Sequence, residues 1–204
     1  MLTVESRRGN QYLVDLFVRP RTAMQELLRD PRRVAFGFVG PAILAAVYFA
    51  GISAKMALNA MHLPKFLVLN IPAEQYYAYE RFFILPMGIA GVMLASGSIR
   101  LTAQAWKGQG RFEDLFALLG FSEIVIAVVM GLPDLVQGVL IGTGILPTVD
   151  WSSVAPWVWL GTVWYFGLTV LAVRKVERLS WAKTIGLALI GFVANGLVQF
   201  VVMR

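Results

Sequence analysis

The sequence predicts an all-α fold, a polytopic bundle of five transmembrane helices with the N-terminus in the cytoplasm and the C-terminus outside. Three observations predict it. Four stretches of 18 to 23 residues carry no charge (Val34–Ala54, Phe82–Ile99, Trp151–Val173 and Thr184–Met203), and a fifth, Leu115–Pro133, is interrupted only by Glu123. An α-helix rises about 1.5 Å per residue, so roughly 20 apolar residues cross the ~30 Å hydrocarbon core of a bilayer. Hydrophobic residues make up 58% of the 204 residues and charged ones only 15%, against ~25% charged in soluble domains. The basic residues are also unevenly divided between the two sides of the spans. With five crossings, thirteen fall on the side of the N-terminus and four on the other, Arg100 lying within a span. Basic residues are retained in the cytoplasm, which orients the bundle.

Spans are expected at about 34–54, 82–106, 113–133, 151–173 and 184–203, forming one membrane domain over residues 34–204 behind a cytoplasmic segment of residues 1–33. In that segment Tyr12, Leu13, Leu16 and Phe17 recur at helical spacing, so one apolar face is expected to lie on the bilayer surface. Thr22-Ala-Met-Gln25 matches a capping box for a second short helix carrying Leu27 and Leu28, and Asp30-Pro31 ends it. The segment either anchors span one or docks a cytosolic partner.

Span one carries Ala42, Ala46, Ala50 and Ala54 at four-residue intervals, and Gly91 and Ala95 repeat the spacing on span two. Small side chains let neighbouring backbones approach closely, within the bundle or in a homo-oligomer. The outer loop 55–81 is aromatic, with Tyr76, Tyr77 and Tyr79 expected at the membrane–water interface beside His62. After span three, Leu135–Val149 is apolar but only 15 residues long. It continues that span beyond Pro133-Asp134, re-enters the membrane, or lies at the interface.

Several function classes drop out. The chain has no cysteine, which removes disulfides, thiolate metal sites and cysteine nucleophiles. The single histidine lacks His or Cys partners for a metal, and no cofactor motif is present. Residues 1–33 lack the apolar run of a cleavable signal peptide, so span one is expected to direct insertion. The net charge of +6 flanks the spans, where it meets anionic headgroups, and does not form a soluble basic module for nucleic acid. HExxH, GxSxG, P-loop and GxGxxG signatures are absent, so no catalytic residue is expected. Gly108-Gln-Gly110 reads as a turn.

Two charges inside spans are costly, at roughly 2.5–3.5 kcal/mol each at a helix centre on insertion scales. Arg100 lies roughly 9 Å and Glu123 roughly 13 Å inside the cytoplasmic end at helical rise. They belong to helices joined by a short loop. Either they pair, or Arg100 snorkels to headgroups while Glu123 is protonated. Gln104, Asn195 and Gln199 extend this intramembrane polar cluster. On the cytoplasmic side Arg111, Arg174, Lys175 and Arg178 form a basic surface for anionic lipid or a partner.

Three stretches resemble the Yip family of five-span proteins, named for binding Ypt/Rab-type GTPases. Arg19-Pro-Arg-Thr-Ala-Met-Gln-Glu-Leu-Leu-Arg-Asp-Pro31 is similar to the short helix ahead of span one in bacterial members. Gly108-Gln-Gly-Arg-Phe-Glu-Asp-Leu-Phe-Ala-Leu-Leu-Gly-Phe121 resembles the glycine-rich loop that runs into "F-x-D/E-x-x-x-x-x-G-Y" on span three, with Phe121 in place of the tyrosine. Leu179-Ser-Trp-Ala-Lys-Thr184 resembles the basic step before the last span. The resemblance implies a non-enzymatic, multi-pass protein of the bacterial inner membrane that scaffolds membrane or cytosolic partners through its basic surface. The competing expectation is a small transporter or channel built on Arg100 and Glu123, with a broken helix at Pro133-Asp134.

Overall fold

The computed structural model describes residues 9–58, 72–146 and 151–202, and these are helical throughout apart from short connections. Two short helices, α1 (Gly9–Val18) and α2 (Pro20–Leu27), precede five long ones. These are α3 (Arg33–Ala57), α4 (Ala73–Ala105), α5 (Phe112–Gly142), α6 (Trp151–Glu177) and α7 (Trp181–Val202). All five are long and apolar enough to cross a membrane. Inside a bilayer no water is available to the backbone, so a helix is the form in which each span satisfies its own peptide groups.

All five helices extend beyond the apolar stretches that predict them. Helix α4 begins nine residues before Phe82, and Tyr76 and Tyr77 are buried there against Ile52 of α3. These two tyrosines therefore belong to a packed helix and not to an interfacial loop. His62 lies outside the described residues. Helix α5 runs through Pro133 to Gly142, so the part of Leu135–Val149 that is described continues span three. The continuation has a physical cause. A proline in a regular helix lacks the N–H and collides with the carbonyl four residues back. A π-helical turn over Ala127–Gly131 widens the helix just ahead of Pro133 and lets it proceed. Asp134 then pairs with Lys55 of α3 at 2.7 Å.

Helix α5 is the axis of the bundle. Its most apolar stretch is 78% buried, against 28–39% for the other four. The closest helix contact is between α3 and α5. A Cβ on Gly40 would overlap the carbonyl oxygen of Gly120, and one on Gly120 would overlap the carbonyl of Gly37. Three glycines thus bring two backbones together, the mode of association that works where no hydrophobic force acts between helices. The alanine stripe does not do this within the chain, since Ala42, Ala46 and Ala50 all face outward. Gly91 and Ala95 are buried on the side of α4 that meets α7, where Gly91 makes room for the Asn195 amide.

The N-terminal helices also depart from expectation. Tyr12 and Leu16 are buried in the same core as α5 and α6, with Tyr12 edge-on to Phe36 and Phe17 edge-on to Trp164. The side of α1 that carries these residues therefore packs on protein, while Val14 and Val18 stay exposed. Helix α2 starts at Pro20, whose missing N–H costs nothing at a first turn, and not at a Thr22 capping box. Its Ala23, Met24 and Leu27 are buried.

Candidate functional site

The end of the bundle that carries α1 and α2 collects most of the charged side chains. Two features are built there, a buried ion pair and a basic cleft.

The ion pair joins Arg100 of α4 to Glu177, the last residue of α6. Arg100 Nη1 donates to Glu177 Oε2 at 2.9 Å and to the Gly108 carbonyl at 3.1 Å. The Gly110 N–H donates to the same carboxylate oxygen at 3.0 Å. The Glu177 side chain has no exposed area, while that of Arg100 is 22% exposed. The α4–α5 loop is shaped to this carboxylate. Lys107 adopts a left-handed conformation (φ 61°), and the Gly108 N–H bonds back to the Ala103 carbonyl at 2.8 Å, closing α4 with a Schellman turn. A Cβ on Gly108 or Gly110 would overlap Glu177 or its neighbour Val176. Gly108-Gln-Gly110 is thus a cradle for a carboxylate from another helix, which a reading as a simple turn misses.

Arg100 is therefore not paired with Glu123, although the two match in depth. The reason is rotational, because Arg100 points to α6 and the α4–α5 loop. Glu123 is instead buried near the middle of the bundle, with Asn195 of α7 within hydrogen-bonding reach. Asn195 Nδ2 donates to the Tyr165 hydroxyl at 3.5 Å, and Glu123 Oε2 has no partner among the described residues. Gln199 lies beside Asn195 across Gly91, while Gln104 is exposed and stands apart. The expected five-residue polar cluster thus separates into the Arg100 pair and a Glu123–Asn195–Tyr165 centre. Tyr165 has no sequence signal, because a tyrosine in a span reads as an ordinary interior residue.

The basic cleft lies between α2 and the α6–α7 corner and encloses about 710 Å³. Arg21 and Arg29 come from α2 and the turn after it; Arg174, Lys175 and Arg178 come from the end of α6 and the turn that follows. Met24, Leu28 and Leu171 give it an apolar floor. Arg174 is held in place twice, by a hydrogen bond to the Leu179 carbonyl and by stacking over the Trp181 ring at 4.8 Å. Lys175 Nζ donates to Gln25 Oε1 at 2.9 Å and so ties the two walls together. Arg178 takes a left-handed conformation (φ 56°) that ends α6. No acidic side chain lines the cleft among the described residues. Arg111 is exposed at the start of α5 and is not part of the lining.

Four long apolar helices packed around a fifth, with most of the charge gathered at one end, define an integral, multi-pass membrane protein whose outer helix faces meet lipid. The model of the Yip1 domain matches residues 14–203, nearly the whole chain, and the chain belongs to that family. No curated protein matches the chain, and no solved structure does.

Proposed function

We propose that this protein is a non-enzymatic scaffold of the bacterial inner membrane, which organises membrane or cytosolic partners through its basic end, facing the cytoplasm. The observation that carries the reading is the cleft, in which five cations from two separate segments converge with no acid in the lining. Like charges brought together repel. Arg174 and Lys175 alone would be accounted for as cations at the C-terminus of α6, where the helix dipole favours them. Arg29 likewise follows the C-terminus of α2, but Arg21 faces them from the first turn of α2, where the dipole disfavours a cation. Burying the apolar faces of α1 and α2 in the bundle core fixes this arrangement, so the surface is shaped and not merely charged.

The transporter reading is the weaker of the two. It needs Arg100 and Glu123 in one path, and Arg100 is engaged with Glu177 and the glycine loop.

The test is recovery of a defined protein partner after cross-linking in intact membranes and extraction in mild detergent. The triple substitution Arg21→Gln, Arg29→Gln and Arg178→Gln, which leaves the Arg174 and Lys175 contacts in place, should reduce recovery at least fivefold with the melting profile unchanged. Undiminished recovery from that variant would remove the basic end from the function.

A further inference from the structure

The shape of the basic cleft names a ligand more closely than a scaffold role requires. We infer that it is a binding site for the headgroup of an anionic phospholipid, one whose phosphate charge is not offset by an amine in the same headgroup. The inference rests on the reading that this end of the protein is its working surface.

Charge is the first argument. A site with five cations and no acid in its lining, among the described residues, selects for net negative charge. A zwitterionic headgroup would bring its ammonium into the same field and lose most of the attraction. Preorganisation is the second. Arg174 is fixed by the Leu179 carbonyl and the Trp181 ring, which orients a planar guanidinium able to donate two parallel hydrogen bonds to phosphate oxygens. Both guanidinium and ring belong to the helix ends that leave the membrane, and tryptophan favours that depth.

The floor supplies the third argument, and it separates a lipid from a free anion. Met24, Leu28 and Leu171 are of no use to inorganic phosphate or a sugar phosphate. Leu171 lies within the apolar length of α6, three residues before Arg174 and on the same side of the helix as that arginine. A molecule with a charged head among the arginines and a glyceryl and acyl portion running over Leu171 into the bilayer fits both parts of the lining. The cleft volume, about 710 Å³, is in the ~300–1,000 Å³ range of small-molecule sites. An acidic peptide would match the charge but not a floor that continues into a membrane span.

Such a lipid would also lock the structure. By bridging α2 to α6 it would add to the Lys175–Gln25 bond that already joins them, so that binding and the docking of the N-terminal helices reinforce one another.

The experiment uses the full chain in nanodiscs of equal phosphatidylglycerol and phosphatidylcholine, ejected into a native mass spectrometer. Phosphatidylglycerol should be retained in clear preference. The variant Arg21→Gln/Arg29→Gln/Arg178→Gln should lower its affinity on the order of 100-fold, taking each cation near an anionic headgroup as worth about fivefold. The control Lys107→Gln/Lys183→Gln, basic residues outside the lining, should retain the lipid as the parent does. Equal retention of the two lipids would overturn the inference, as would unchanged retention by the triple variant. Displacement of the lipid by millimolar inorganic phosphate would overturn it too, by showing a free-anion site. The scaffold reading is scored separately by partner recovery. In the Arg21→Gln/Arg29→Gln/Arg178→Gln variant, loss of the partner with phosphatidylglycerol still bound overturns the lipid site alone. In the parent protein, specific lipid binding with no partner overturns the scaffold alone.

Discussion

Glu177→Gln is expected to destabilise the protein by about 3 kcal/mol, because removing one member of a buried ion pair leaves the other without compensation. Gln keeps the shape but not the charge, so Arg100 loses its counter-ion while the Gly110 N–H keeps an acceptor at best. Arg100→Met should cost a similar amount, since it strands a carboxylate that has no exposed area. The double variant Arg100→Met/Glu177→Met is expected to recover much of the loss, as apolar pairs often replace buried ion pairs at little net cost. Reversible unfolding by denaturing detergent measures all of these. Strict additivity of the two single losses would show that the residues do not act as a pair.

Gly40→Ala and Gly120→Ala form the second large effect, about 3 kcal/mol each. In both, the new Cβ meets a backbone carbonyl on the facing helix, and backbone cannot swing aside as a side-chain tip does. The helices must separate, and α5, the axis on which the bundle packs, must move with them. Ala46→Leu, on the outward stripe of α3, is expected to stay within about 0.5 kcal/mol. The same unfolding assay checks the contrast. If the glycine variants matched Ala46→Leu, the α3–α5 contact would not be the tight interface described.

The difference between these two sets of residues shows what a sequence of this kind can convey. The spans were legible because length and hydropathy are local properties, and a bilayer imposes one length on all of them. The family was legible from short motifs for the same reason. Which face of a span turns inward is not local. Alanine every four residues marks a smooth stripe, but small residues suit lipid contact as readily as helix contact, and here the stripe faces outward. Three glycines, two on α3 and one on α5, make the contact instead, and only the meeting of the two helices reveals it.

Arg100 illustrates the same limit for charge. Depth along a helix follows from counting residues, and it matched Arg100 to Glu123. Rotation about the helix axis and the packing order of α4 and α6 decide the partner, and these favour Glu177, 77 residues away. A signal was present. Glu177 is an acid in the last turn of a helix, where the dipole disfavours it, among Arg174, Lys175 and Arg178. An acid so placed is a candidate partner for the intramembrane Arg100. The four basic residues sought on the cytoplasmic side included three of the five that line the cleft, because flanking charge is readable. Arg21 and Arg29 escaped because α2 reads as a surface helix until its buried face is seen.

The proposal as a whole requires that the basic end face the cytoplasm and the opposite end face outside. The chain has no cysteine, so single substitutions report without background. Gln109→Cys sits on the exposed loop at the basic end, and Ile145→Cys is exposed beyond α5 at the other. A membrane-impermeant maleimide applied to intact spheroplasts should label Ile145→Cys and leave Gln109→Cys unmodified until the membrane is permeabilised. Labelling of Gln109→Cys in sealed spheroplasts, with Ile145→Cys protected, would place the cleft outside the cell and contradict the function proposed for it.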